Sequence, residues 1–188
     1  MKPHLPPRLI AALALVAAGA AHAEAVVATP YAGQQQRAIK SLSDSEVAGL
    51  LAGHGAGLAK AAELNGYPGP LHVLELSKEL HLSEGQADAT RQLMDRHRRE
   101  ASRLGAALVD AERHLDSLFA KREATPDAVD KAAARVGELQ AQLRAEHLKT
   151  HIAQTGLLDA HQVQRYSSLR GYGSSQKAPS SHHQPHQH

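Results

Sequence analysis

The 188-residue chain contains no cysteine. Disulfides, thiolate metal ligands and cysteine nucleophiles are thereby excluded, so histidine and carboxylates are the side chains left for binding a transition metal. Tryptophan is also absent and there is a single Phe. Stability must come from packing small and aliphatic side chains, and the many Ala and Leu residues suit helices. The longest apolar run, Leu9 to Ala20, is shorter than the roughly 20 residues a membrane-spanning helix needs.

That run follows Lys2 and Arg8 and precedes Ala21-His22-Ala23, which has the small-x-small form of a signal-peptidase site. Residues 1–23 therefore read as a cleaved signal peptide, and the mature protein is expected in the periplasm. A charge excess of one sign is then missing too. Of the 21 Lys and Arg, Lys2 and Arg8 leave with the leader, so 19 face 19 Asp and Glu. A chain so balanced lacks the basic field that nucleic acid requires, and nucleic acid is not an expected partner.

Helix signals dominate what remains. Residues 24–42 carry no sustained period and read as a flexible segment. Ser43-Asp44-Ser45-Glu46 has the form of a capping box, followed by Val47, Leu50, Leu51, Leu58 and Ala61 at helical spacing. Gly49, Gly53, Gly55 and Gly57 weaken this helix, which is expected to bend or break near His54. Asn65 to Pro70 is a turn by composition, and a short helix is expected from about Leu71 to Leu80.

Two long helices follow. The first opens at Ser83, with Gln86 placed to close the cap, and carries the stripe Leu93, His97, Ala101, Leu104, Leu108, Ala111, Leu115, Leu118. The second opens at Thr125-Pro126 and carries Val129, Ala132, Val136, Leu139, Leu143, His147, Thr150 and Leu157. A turn of about five residues between them predicts a long antiparallel hairpin over 84–156 within an all-α domain, 43–170, with short flanking helices. A turn centred near residue 123 sets His97 level with Lys149 to within one helical turn, between His147 and His151. A last helix opens at Asp159. Residues 171–188, rich in Gly, Ser, Pro, Gln and His, are expected to be disordered.

The helix openings LSEGQ, 82–86, and LDAHQ, 158–162, resemble the L-T-x-x-Q motif of the periplasmic Spy/CpxP family, with Ser83 and Asp159 in place of threonine. The resemblance spans about residues 70–170. It implies a small, exported, all-helical protein with a hairpin-based cradle, expected as a homodimer. The family includes ATP-independent chaperones, envelope-stress regulators, zinc-responsive accessory proteins and nickel/cobalt sensors of heavy-metal resistance. In the sensor branch, a histidine before the hairpin, a ligand early in its first helix and a histidine late in its second bind metal. Those places are held here by His72, by Met94 or His97, and by His147 or His151. The sensors' second short-helix histidine would fall near Leu76 or Ser77 and their carboxylate near Met94, so the inherited ligand set is incomplete.

Chemistry points the same way. Divalent first-row ions favour neutral imidazole, and His147 and His151, four apart, face one way on a helix. With His97 or His72 they suit Zn, Ni, Co or Cu; the bland alternative is a polar helix surface carrying many histidines. His182, His183, His186 and His188 in the tail suit looser metal binding. Arg96, Arg98, Arg99 and Arg103 read either as a solvated face or as the basic lining of a chaperone cradle. There is no HExxH motif, phosphate-binding Gly loop or suggestive Ser-His-Asp arrangement, and catalysis is not expected. The expected function is a metal-responsive accessory or sensor protein, partnered by a membrane-bound signalling protein. The alternative is an ATP-independent chaperone that holds unfolded client proteins.

Overall fold

A computed structural model describes residues 29–172. Of these, residues 29–33 fall in a separate unit, and the body begins at Gln34. The expected leader and the tail beyond Tyr172, with its four histidines, lie outside the described residues. Within them the regular structure is helical: a 3-10 turn at Gln34–Gln36, then α1 (Asp44–Leu51), α2 (Lys60–Glu63), α3 (Pro70–Glu75), α4 (Glu84–Ala120), α5 (Pro126–Thr155) and α6 (Ala160–Leu169). No helix among the described residues is long and apolar enough to cross a membrane.

Each major helix begins where its cap stands. Ser43, Ser83 and Asp159 accept hydrogen bonds from the backbones of Glu46, Gln86 and Gln162, whose side chains reach back to the cap amides, and Thr125 caps α5 ahead of Pro126. At 1.5 Å per residue, α4 is about 55 Å long and α5 about 45 Å. They pack along their length, with α1 lying on α4, α2 on α5, and α3 against both. The common core is Ala101, Leu104 and Leu108 against Val136, Leu139 and Leu143, flanked by Leu50 and Leu58. Burying each leucine contributes about 1.5–3 kcal/mol.

A second core of Val73, Leu80 and Tyr166 brings α6 and the α3–α4 connection together at the far end. There the two motif glutamines clasp each other: Gln86 Nε2 donates to Gln162 Oε1 at 2.8 Å, and Gln162 Nε2 donates to Gln86 Oε1 at 3.0 Å. Gln86 also donates to the Leu157 carbonyl and Gln162 to that of Leu80, which ties both helix openings to the connections beside them.

Two local readings change, and the break expected near His54 is located. The short helix expected to reach Leu80 ends at Glu75, because Leu80 turns inward to pack on Tyr166 and present its carbonyl to Gln162. The break near His54 falls directly after α1, with Gly53 at φ +72°. The end of the segment read as flexible is anchored: Ile39 is 3% exposed, the Lys40 amide donates to Asp116, and Ser41 donates to Glu112. At Gly105 the backbone of α1 comes close against α4. A Cβ there would stand 2.0 Å from the Leu50 carbonyl oxygen, so α1 approaches α4 only because this position has no side chain.

Candidate metal centre

Between the apolar core and the glutamine clasp, the seam of the two long helices becomes polar. Thr90, His97, His147, Thr150 and Gln154 are all buried there. Beside them opens a cleft of about 570 Å³, roofed by the glycine-rich loop 52–57 and the α2–α3 connection. His72, His97, His147 and His151, the predicted ligands, all line it, as do Met94 and His54. The helical periodicity of α4 and α5 supplies His97, His147 and His151, while Pro70 at the start of α3 sets His72 in place.

Three of these rings are oriented in a common way. His151 Nδ1 lies 2.8 Å from the Tyr67 carbonyl, which only accepts, so Nδ1 carries the proton. His97 Nδ1 faces Glu146 Oε1 at 3.1 Å and Thr150 Oγ1 at 3.0 Å. The Thr150 hydroxyl is engaged as donor to the Glu146 carbonyl, which leaves His97 as donor. His72 Nδ1 sits 2.8 Å from Glu75 Oε2. In each ring an oxygen acceptor faces Nδ1, so the neutral tautomer it selects carries the lone pair on Nε2, the arrangement that orients metal-binding histidines.

His147 differs. It is 5% exposed, its ring meets that of His97 edge-on at 4.5 Å, and its buried Nε2 has no hydrogen-bond partner. Burial, followed by the positive charge His97 and His151 can carry, lowers its pKa to about 4. The imidazole is therefore neutral at physiological pH, with its lone pair available. The loop comes close enough to enclose it: a Cβ at Gly55 would lie 3.2 Å from the His147 ring, and one at Gly69 would lie 2.8 Å from that of His151.

The donor set therefore suits a divalent first-row ion, yet the imidazoles surround the cleft without meeting at a point. Among the described residues, no group of three His, Asp or Glu side chains stands ready to hold an ion. Sequence reading placed Thr150 in the stripe of α5 but missed Glu63, Tyr67 and Glu146 around these rings. Glu63 lies more than a hundred positions from Tyr166, whose hydroxyl donates to Glu63 Oε1 at 2.6 Å. No periodicity signals a contact of that span. Burial and then this bond raise the Tyr166 pKa and keep the phenol protonated.

The four arginines do not form one patch. All are exposed, but Arg98 lines the histidine cleft, whereas Arg96, Arg99 and Arg103 recur at three and four on another face of α4. Arg103 is taken up by a forked pair with Glu100 at 2.6 and 2.8 Å. Compared with known proteins, the chain matches no family model, no curated protein and no solved structure.

Proposed function

We propose that this protein is a periplasmic, metal-responsive accessory or sensor protein of the Spy/CpxP type, which takes a divalent ion into the cleft lined by His72, His97, His147 and His151. The observation that carries this reading is the buried, unpartnered Nε2 of His147, neutral at pH 7, in one cleft with three rings whose Nδ1 atoms are already anchored. A bound ion would supply a double positive charge binding α3, α4 and α5 at one level. The protein's part is to hold Nδ1–H of three rings, to exclude water from His147, and to keep the glycine loop close. The imidazoles must draw together on binding, so an ion favours one packing of loop and hairpin over another, which is the basis of a sensor's response.

Calorimetric titration of Zn, Ni, Co and Cu into the full chain, with the four tail histidines changed to Gln, tests this. One ion per chain with submicromolar affinity is expected, lost on changing His147 and His151 to Gln. Unchanged binding in that double variant would leave the two rings as packing residues.

A second reading, an ATP-independent chaperone, is supported by a different face. Leu50, Leu58, Leu108 and Leu143 line a groove of about 980 Å³ between α1 and α5. Under this reading the His147/His151 variant still suppresses aggregation of an unfolding client, and neutralising Arg96, Arg98, Arg99 and Arg103 impairs it.

A further inference from the structure

The histidine cleft has fixed cationic side chains at its lining. Lys60 and Arg98 stand at its lining beside the imidazoles, and of the residues lining it Glu63 alone is a carboxylate. Neutral imidazoles donate to an ion without reducing its charge, so an anionic ligand would offset the repulsion between a divalent ion and Lys60 and Arg98.

Glu63 is built as such a ligand would be. Its two carboxylate oxygens have separate surroundings. Oε1 accepts from the Tyr166 hydroxyl at 2.6 Å and lies 3.5 Å from Arg170 Nε. Oε2 is buried and has no hydrogen-bond partner; His151 Nδ1 stands 3.6 Å away, with its proton directed to the Tyr67 carbonyl at 2.8 Å. The side chain is 13% exposed. A buried carboxylate oxygen left without a donor is costly, by about 1–3 kcal/mol or more for a charged group. A cation entering the cleft that Glu63 shares with the four histidines would give this oxygen the partner it lacks.

We propose that Glu63 is the anionic ligand of the metal centre through Oε2, and that Tyr166 and Arg170 of the α6 end are its positioning residues. This rests on the metal-binding reading above and extends it in two ways. The ligand set gains a member from α2, so an ion engages the short helices as well as the hairpin. The affinity of the cleft also becomes linked to the docking of α6. Because Tyr166 is 1% exposed in the second core and at the same time orients Glu63, whatever loosens α6 weakens the site, and by reciprocity an ion in the site tightens α6.

The test uses the full chain with His182, His183, His186 and His188 changed to Gln and Zn as the probe. Affinity is read by calorimetry, and amide exchange is followed over residues 160–169. Zn should slow exchange in α6. Glu63→Gln, which keeps an acceptor for Tyr166, should bind Zn at least 10-fold more weakly and lose that protection. Tyr166→Phe, which removes the positioning hydroxyl and leaves Glu63 in place, should lower affinity about 10-fold. If Glu63→Gln does not fold, Tyr166→Phe and Glu63→Asp carry the test, and wild-type affinity and α6 protection in both overturn the proposal. Equal Zn affinity in the parent and in a folded Glu63→Gln likewise overturns it while leaving the histidine cleft standing. A parent that binds no Zn overturns both readings.

Discussion

An imidazole cut off from water and set against two others resists taking a proton, and at His147 this becomes a property of the whole fold. Its pKa of about 4 lies below the 6.5 of a free histidine, chiefly through burial. Above pH 6.5 the ring is neutral in both folded and unfolded chains and contributes no pH dependence. Between pH 6.5 and about 4 the unfolded chain gains a proton here that the folded chain refuses, so stability falls as pH falls, by up to roughly 3 kcal/mol for this group alone. Urea unfolding at a series of pH values should reveal that decline, and His147→Phe, which stays apolar throughout, should flatten it between pH 6.5 and 4. An equally steep decline in the variant would mean that other groups set the acid sensitivity. The same refusal of a proton keeps the ring neutral, with one nitrogen lone pair free, in mildly acidic surroundings.

Among the elements, the hairpin depends on its open end as much as on its core. A five-residue connection, 121–125, joins α4 to α5 at one end, whereas at the other Gln86 and Gln162 exchange amide hydrogen bonds across the start of α4 and the start of α6. Gln162 is 7% exposed, so removing either partner leaves the other's amide without its bond in a dry place. Gln86→Ala and Gln162→Ala should each destabilise the protein by about 1–3 kcal/mol. The double variant should lose less than the sum, a coupling of roughly 1 kcal/mol measurable in a double-mutant cycle; strict additivity would show that the clasp is not an energetic unit. These helices were legible because their determinants are local: a cap and its partner stand three residues apart, and stripes such as Leu93, His97, Ala101 and Leu104 repeat every three or four. The reciprocal clasp was not, although both glutamines had been singled out, since nothing within a pentapeptide states which distant surface it meets. The same holds for Gly105, whose lack of a side chain matters only because the Leu50 carbonyl comes to rest on it.

For the molecule as a whole, the cleft was half legible. His97, His147 and His151 could be placed at one level from turn length and helical rise alone, and Thr150 beside His97 at 3.0 Å fits that level. Tyr67 and the glycine loop reach the cleft from irregular chain, and Glu63 from a single helical turn too short for periodicity to mark, so the enclosing half of the cleft emerges only in three dimensions. This division suggests how to separate binding in the cleft from binding in the tail. An ion that needs rings from α3, α4 and α5 together binds only the folded chain, and at a free concentration 100 times its Kd it should add about 2.7 kcal/mol of stability. For a body of this size that is a rise in Tm of roughly 8 °C. An ion held by His182, His183, His186 and His188 without regard to the fold binds folded and unfolded chains alike and leaves Tm where it was. Thermal unfolding with and without Zn should therefore show a shift that survives changing the four tail histidines to Gln and disappears on changing His147 and His151. A shift that follows the tail instead would place the tight site outside the cleft and return the buried rings to the packing of the hairpin.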